Sequence, residues 1–464
     1  MHFISTRNKS EALSFKEVTL KGLADDGGLY IPNKWPLLRT EILNNNLSFE
    51  EIAFLLIRSF VGNSIEDEKL KFLINTCYNS FSNKEVTPLK KLDDNNFLLE
   101  LYHGPTLAFK DIALQFLGKL FDLFLEGTKR KLTIIGATSG DTGSAAIEAV
   151  KNNKNVDIFI LHPFKRVSEF QRRQMTTVLS KNVHNIAING TFDDCQNIIK
   201  KLFIDKKLNS ELSLGSINSI NWTRIMAQIT YYIYAYYKIK KLTNRKNISF
   251  SVPTGNFGDA YAGYIAKTKL NIPIKKLIVA TNNNNILDRF FKTGLYKKQQ
   301  VHKTISPSMD IQIASNFERL LYDLCPLNGK KVNELMEEFK ETNIIKSSIN
   351  DLEIINKKFT SFSVNEELTN NSILRAYSKY KIVIDPHTAV GLEAANQYIT
   401  ANKEDIVVTL ATAHPAKFSE SVKSVLGFNV KLPNTYNNIF SLKEKYEVFN
   451  NSYQDISNYI LHNS

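Results

Sequence analysis

From about residue 97 onward, short continuous apolar runs alternate with stretches of helical period. Residues 97–101, 131–136, 156–161, 183–188, 248–252, 276–280, 381–384 and 406–410 read as strands, being short, rich in Ile, Val and Leu, and flanked by polar residues. Residues 111–124 read as a helix, because Ile112, Ala113, Phe116, Leu117, Leu120 and Phe121 recur at helical spacing. Further helices are predicted from about Gly143 and over 261–267. Strands separated by helices imply parallel sheets covered on both faces, with ligands outside the C-terminal strand ends. The first ninety residues or so read as mainly helical, with a turn-rich stretch, Gly22-Leu23-Ala24-Asp25-Asp26-Gly27-Gly28, leading into a short strand, Leu29-Tyr30-Ile31-Pro32. Residues 330–371, rich in Lys, Glu and Asn, read as a surface helical segment or insertion. The tyrosine-rich run 231–237 reads as a packed or subunit-contact helix rather than a cofactor box.

Length and composition narrow this picture. A chain of 464 residues exceeds what one core fills, so two or three subdomains are expected. Apolar residues at 43 % and charged residues at 23 % argue against large-scale disorder. The net charge of +13 could signal a nucleic-acid partner, but the lysines are scattered among asparagines, as in 151–155, and no nucleic-acid motif or basic run accompanies them. Neither nucleic acid nor membrane is expected as a partner. No apolar run nears the roughly 18 residues of a membrane span, and residues 1–7 lack a signal-peptide core. Cys77, Cys195 and Cys325 form no C-x-x-C pair, which speaks against zinc or a redox dithiol and for a reducing cytoplasm. His103 and His414 show no metal-ligand spacing, so no metal is expected. His387 reads as structural, near the site.

Five segments carry candidate chemistry. In residues 100–111, a strand passes through a Gly-Pro loop to Lys110 at the head of an amphipathic helix. Leu107, Ala108 and Phe109 make its surroundings apolar. Desolvation and the positive end of a helix both disfavour an ammonium, and the neutral amine is the form that builds a Schiff base. The other reading is an ordinary lysine on a first turn. Residues 136–144, Gly-Ala-Thr-Ser-Gly-Asp-Thr-Gly-Ser, lack the lysine of a nucleotide P-loop and do not fit the dinucleotide fingerprint. They suit either a carboxylate cradle or a plain turn. Residues 252–260 lead from a strand through glycines into a helix, a favourable phosphate site. Residues 411–418 place Thr412 just past a strand, where a hydroxyl can meet a heterocycle nitrogen. Residues 218–224 offer Arg224 with hydroxyl and amide groups for a dianionic phosphate, or a structural turn with a surface arginine.

Together these segments resemble the threonine synthase family, in its branch with an extra N-terminal domain. The likeness rests on I-S-T-R-N, G-L-A-x-D-G-G-L-Y-I-P, H-G-P-T-x-A-F-K-D, A-T-S-G-D-T-G, N-S-I-N-W-x-R, V-P-T-G-N-F-G-D-A and T-A-H-P-A-K-F, in that order along nearly the whole chain. The resemblance implies an α/β protein of pyridoxal-phosphate (PLP) fold type II, like the tryptophan synthase β subunit. It would have two doubly wound α/β subdomains plus a mainly helical N-terminal domain, with an N-terminal domain over 1–90, a PLP-binding core over 91–430 and a C-terminal tail over 431–464. It implies conversion of O-phospho-L-homoserine and water into L-threonine and phosphate, the last step of threonine biosynthesis, by a cytoplasmic monomer or homodimer. Lys110 resembles the lysine that binds PLP as a Schiff base, and Gly255, Asn256, Phe257, Gly258 and Asp259 resemble the loop holding the cofactor phosphate. Thr412 resembles the residue facing the pyridine nitrogen. Thr138, Ser139, Asp141 and Thr142 resemble the clasp on the substrate's amino-acid end, though related PLP enzymes often carry Asn where Asp141 stands. Ser219, Asn221 and Arg224 resemble contacts to the substrate phosphate. The rival readings are another lyase of this fold, such as a threonine dehydratase or cysteine synthase, and a non-catalytic homologue. Such lyases lack the N-terminal motif and the H-G-P-T-x-A-F-K-D context, and a non-catalytic homologue would show loss of the lysine or the phosphate loop, both of which are intact.

Overall fold

The structure, a computed structural model, describes residues 1–7, 12–38, 40–43, 46–325 and 328–464. Asn8, the last residue of the I-S-T-R-N motif, lies outside them. The N-terminal region combines a three-stranded antiparallel sheet, ordered Leu13–Ser14, His2–Ser5, Tyr30–Pro32, with the helices Phe15–Lys21, Phe49–Val61 and Asp67–Tyr78. Ser14 with Glu17 and Ser48 with Glu51 form capping boxes that fix where the first two helices begin. Phe49, Ile52, Ala53, Leu56, Ile57 and Phe60 lie on one helical face and are buried. That face packs on the long helix Trp222–Thr243 and joins one continuous hydrophobic cluster with the rest of the chain.

Two sheets form the remainder. The larger is ordered Phe359–Ser363, Leu277–Thr281, Ile248–Pro253, Ile406–Ala411, Asn96–Glu100, Leu89–Lys91, parallel except for the last strand. The smaller is wholly parallel and ordered Glu447–Asn450, Val183–Asn189, Val156–Pro163, Leu132–Ala137, Leu214–Gly215. The helix Trp222–Thr243 packs on Phe49–Val61, Lys110–Leu125 and Gly258–Thr268 and is buried along most of its length, with Tyr231, Tyr232 and Tyr236 in the core. The tyrosine-rich run is therefore a core helix packed within the chain.

Three segments depart from expectation. Residues 381–384 form no strand. Lys381, at φ +56°, ends the helix Glu366–Tyr380, and Asp385 caps the helix Pro386–Ala401 so soon after that only a connector fits. Ile382 and Ile384 are buried, which is why the run looks strand-like. Within 330–371, Gly329–Thr342 and Ile349–Asn356 are helices, but Phe359–Ser363 is the edge strand of the larger sheet. Residues 431–464 supply the strand Glu447–Asn450 and the helix Tyr453–Asn463, whose Ile456 and Ile460 pack against Phe159, Ile186 and Ile198 of the smaller subdomain.

The site is set by one close approach. The helix Lys110–Leu125 follows a strand of the larger sheet, and the helix Asp141–Val150 follows a strand of the smaller. They pack so tightly at Gly118 that a Cβ there would sit 2.1 Å from the Ala149 carbonyl oxygen. Glycine lets the two helices meet, and with them the loops from the two sheets.

Candidate active site

The loop before Lys110 is pinned to the segment after the strand Ile406–Ala411. The Leu101 N–H donates to the Ala411 carbonyl, the Phe109 N–H to Thr412 at 2.8 Å, and the His414 N–H to Leu107 at 3.0 Å. Lys110 and Thr412 are thereby held by one set of backbone bonds at the C-terminal ends of neighbouring strands. Thr106 donates its N–H and its hydroxyl to Asp111, each at 2.8 Å, closing the turn that starts the helix. Burial still pushes the Asp111 carboxyl up to about 6.

Lys110 is buried, and its Nζ lies 3.2 Å from Asp141 Oδ2. Burial lowers the Lys110 pKa; Asp141 opposes that shift, and Lys417 and Arg224 reinforce it. Asp141 also meets Lys417 Nζ at 3.1 Å and accepts from the Gln171 amide at 2.8 Å. Burial alone would raise the Asp141 carboxyl. The two ammonium groups and the Gln171 amide outweigh it and hold the group well below the usual carboxylate range.

The third loop joins the strand Ile248–Pro253 to the helix Gly258–Thr268. A Cβ on Gly255 would lie 2.5 Å from the Ser308 carbonyl oxygen, so the loop passes too close for any side chain there. Phe257 adopts φ +63° and caps the helix without a side-chain bond, leaving its first-turn N–H groups open to an anion. Ser308 is held from behind: its N–H donates to His387 Nε2 at 3.1 Å, while His387 Nδ1 bonds Asp385 at 2.8 Å. An acceptor at Nε2 fixes the neutral imidazole with its proton on Nδ1. Asp259 accepts from the Tyr231 and Tyr232 hydroxyls, at 2.5 and 2.8 Å. Burial outweighs those bonds and pushes its carboxyl up to about 6.

Arg224 lies in the first turn of Trp222–Thr243, at the positive end of the helix dipole. It is fully buried, its Nη1 reaches only the Ile217 carbonyl at 3.4 Å, and its Nε has no partner among the described residues. Burial pulls the guanidinium down to about 10, which leaves it charged at neutral pH. A buried cation with no carboxylate beside it, facing a cavity, is the electrostatic signature of an anion site.

One cavity brings together Lys110, Asp141, Thr142, Ser219, Arg224, the segment 255–259 and Thr412. Thr138, Ser139 and Asn221 are not among its lining residues. The Thr138 hydroxyl accepts from the Gly140 and Gly143 N–H groups and so shapes the loop from within, while Ser139 is exposed. Asn221 caps its helix by accepting from the Thr223 N–H and donates to the Thr19 and Ser216 carbonyls, leaving no free donor. Gln228, Ser308 and His387 line the cavity in addition, and Lys417 reaches it through Asp141. Gln228 was discoverable as the residue one turn beyond Arg224 on the same face. Lys417 lay inside the fourth motif, but nothing in its spacing distinguished it from a surface lysine. Among the described residues, no three His, Cys, Asp or Glu side chains are grouped to hold a metal.

The donor set fits PLP: a buried amine for an aldehyde, a glycine-lined helix N-terminus for a phosphate and a buried hydroxyl at Thr412 for a ring nitrogen. Comparison with known proteins agrees. The description "Threonine synthase N terminus" matches residues 2–78, "Pyridoxal-phosphate dependent enzyme" residues 83–335, and "Threonine synthase, C-terminal" residues 388–460. Threonine synthase of Pseudomonas aeruginosa is 45 % identical over 99 % of this chain and 98 % of its own length. That of Saccharomyces cerevisiae is 44 % identical over 92 % and 89 %. The solved PLP-bound threonine synthase of Brucella melitensis superposes with a TM-score of 0.95 at 42 % identity, covering 100 % of this chain and 99 % of that one. The yeast threonine synthase structure gives 0.94 at 41 % identity, covering 100 % and 98 %. The motifs, the two-sheet fold and these relatives converge, and the chain belongs to the threonine synthase family of pyridoxal-phosphate-dependent enzymes.

Proposed function

We propose that the protein converts O-phospho-L-homoserine and water into L-threonine and phosphate with PLP held by Lys110. The observation that carries this reading is Arg224, a buried guanidinium on the cavity wall with no counterion among the described residues. A substrate bearing a phosphate supplies that counterion. A hydroxy amino acid, the substrate of a dehydratase, brings no second anion and would leave Arg224 uncompensated.

In this reading Lys110 would hold the cofactor covalently, the N–H groups of the 255–259 segment would receive its phosphate, and the Thr412 hydroxyl would meet its pyridine nitrogen. The bound cofactor supplies an electron sink that makes the substrate's α- and β-protons removable. Lys110, released as a neutral amine, takes the α-proton, gives it up before taking a β-proton, and the two protons end on the α- and γ-carbons of the product. Asp141, beside it, is the partner that receives its charge once it is protonated. Thr142 and the N-terminus of its helix receive the substrate carboxylate, while Thr138 keeps that loop in shape. Arg224 and Ser219 hold the phosphate as it leaves the γ-carbon, and Asn221 aims Arg224 by fixing the start of its helix. Water then adds at the β-carbon.

All these groups come from one chain, which supports a complete site in a monomer as well as in a homodimer. No helix of the described residues is long and apolar enough to cross a membrane. With Cys77 and Cys195 buried as free thiols, we place the protein in the cytoplasm. Purified protein supplied with O-phospho-L-homoserine should release phosphate and threonine in equal amounts, and Lys110→Ala should release neither. Phosphate without threonine, or full turnover by Lys110→Ala, would defeat the reading.

A further inference from the structure

Two buried lysines, Lys110 on the cavity wall and Lys417 behind it, meet one carboxylate, Asp141, and the reaction as derived uses one of them. Lys417 sits in the short turn Pro415–Phe418 and is 1 % exposed. Its Nζ donates to the Thr106 carbonyl at 2.7 Å and to Gln174 Oε1 at 2.6 Å, and faces Asp141 Oδ1 at 3.1 Å. Two hydrogen bonds and an ion pair hold this ammonium. Among the described residues Lys110 Nζ has one hydrogen-bond acceptor, Asp141 Oδ2 at 3.2 Å, and otherwise faces the Phe109 ring at 4.8 Å. The frame around Lys417 is locked as well. Gln174 also donates to the Thr106 carbonyl, and Gln171, one turn earlier on the helix Glu169–Thr176, donates to Asp141.

Two cations sharing one buried anion are under pressure to lose a proton, and the proton leaves the site that holds it least. The hydrogen bonds decide which site that is. We propose that Lys417 is a positioning residue for the chemistry of Lys110: a fixed ammonium that engages Asp141, so that Lys110 is the lysine left as a free amine. The inference rests on Lys110 being the cofactor lysine. Lys110 gives its proton to solvent, and its nitrogen lone pair is then free to form the bond to the aldehyde carbon as one water leaves. Other titratable groups face this cluster from every side. Arg224, on Trp222–Thr243, opposes charge on Lys110, and Asp259, on Gly258–Thr268, favours it. His387, on Pro386–Ala401, faces Asp141, and Lys417 itself lowers the pKa of Asp111 and of His414. None of them hydrogen-bonds Lys417 Nζ.

The test is a pH titration of the visible absorption band of the Lys110–cofactor bond in holoenzyme, beside the pH profile of kcat/KM. Lys417→Met and Lys417→Gln leave Asp141 to Lys110 alone. The midpoint should then rise by about one pH unit, and kcat on the acid limb should fall about tenfold with KM unchanged. Lys417→Arg keeps the charge and should titrate like the wild type. Asp141→Asn, which removes the shared anion, should move the midpoint down. An unchanged midpoint in a cofactor-loaded Met or Gln variant overturns the proposal, as does an Arg variant shifted as far as Gln. If neither uncharged variant folds, a rise in Asp141→Asn overturns it. Absence of the visible band from the wild-type protein would instead sink the assignment of Lys110 itself.

Discussion

Arg224 offers a test in which stability and activity should move in opposite directions. Arg224→Met keeps the length and apolar stem of the side chain and removes the guanidinium. In the free enzyme that group has one long bond to a carbonyl, an Nε without a partner among the described residues and no carboxylate beside it. A buried charge so poorly compensated costs several kcal/mol, and even buried ion pairs replaced by apolar residues of similar volume often leave a protein unchanged or more stable by about 1–4 kcal/mol. Its placement at the positive end of a helix adds to the cost. The variant holoenzyme should therefore melt higher than the wild type. With the substrate phosphate bound, the same guanidinium is paired and desolvated, and losing such a pair costs about 2–5 kcal/mol. That corresponds to roughly a 30- to 5000-fold loss in kcat/KM for phosphate release. Inorganic phosphate should raise the melting temperature of wild-type holoenzyme and leave the variant unmoved. A kcat/KM within twofold of wild type would remove Arg224 from the site. A lowered melting temperature would show that the guanidinium already has a counterion in the free state.

Gly255→Ala places a methyl group 2.5 Å from the Ser308 carbonyl, so the loop must shift; PLP titration by absorbance should show weaker binding, and unchanged affinity would detach this loop from the cofactor phosphate. Asn221→Ala removes a helix cap and two buried donor bonds; unfolding should show a loss of about 1–2 kcal/mol with KM little changed, whereas a large rise in KM would make Asn221 a substrate contact. Asp259 has a folded-state pKa raised from 3.8 to about 6, so the folded protein holds this proton more tightly than the unfolded chain, and stability is lost as pH climbs between those values. Asp259→Asn still accepts both tyrosine hydroxyls without ionising. Its melting advantage in cofactor-free protein should widen from pH 4 to pH 7, towards a difference on the order of 3 kcal/mol, and a pH-independent difference would refute the assignment.

The inner strands of both sheets were legible because they are buried on both faces and read as near-continuous apolar runs. The same signal misled at 381–384, where Ile382 and Ile384 are buried beside a helix rather than in a sheet. It failed at Phe359–Ser363, because an edge strand with Thr360, Ser361 and Ser363 has no such run. The candidate site divides along a different line. Groups that act through the backbone, such as the 255–259 segment, announce themselves by glycine and by their place between strand and helix. Groups that act through charge do not, because a lysine's role depends on what it meets. Lys110 and Lys417 are both lysines near strand ends, and only the contacts around each nitrogen among the described residues, one hydrogen bond against two and an ion pair, separate a free amine from a fixed cation. The distinction requires Thr106, Asp141, Gln174 and Lys417 at one point. The packing of the helices Lys110–Leu125 and Asp141–Val150 at Gly118 brings Asp141 to the lysines. A larger residue at Gly118 would move Asp141 off both of them without touching any group in the cavity, which makes that distant glycine part of the electrostatics of the site.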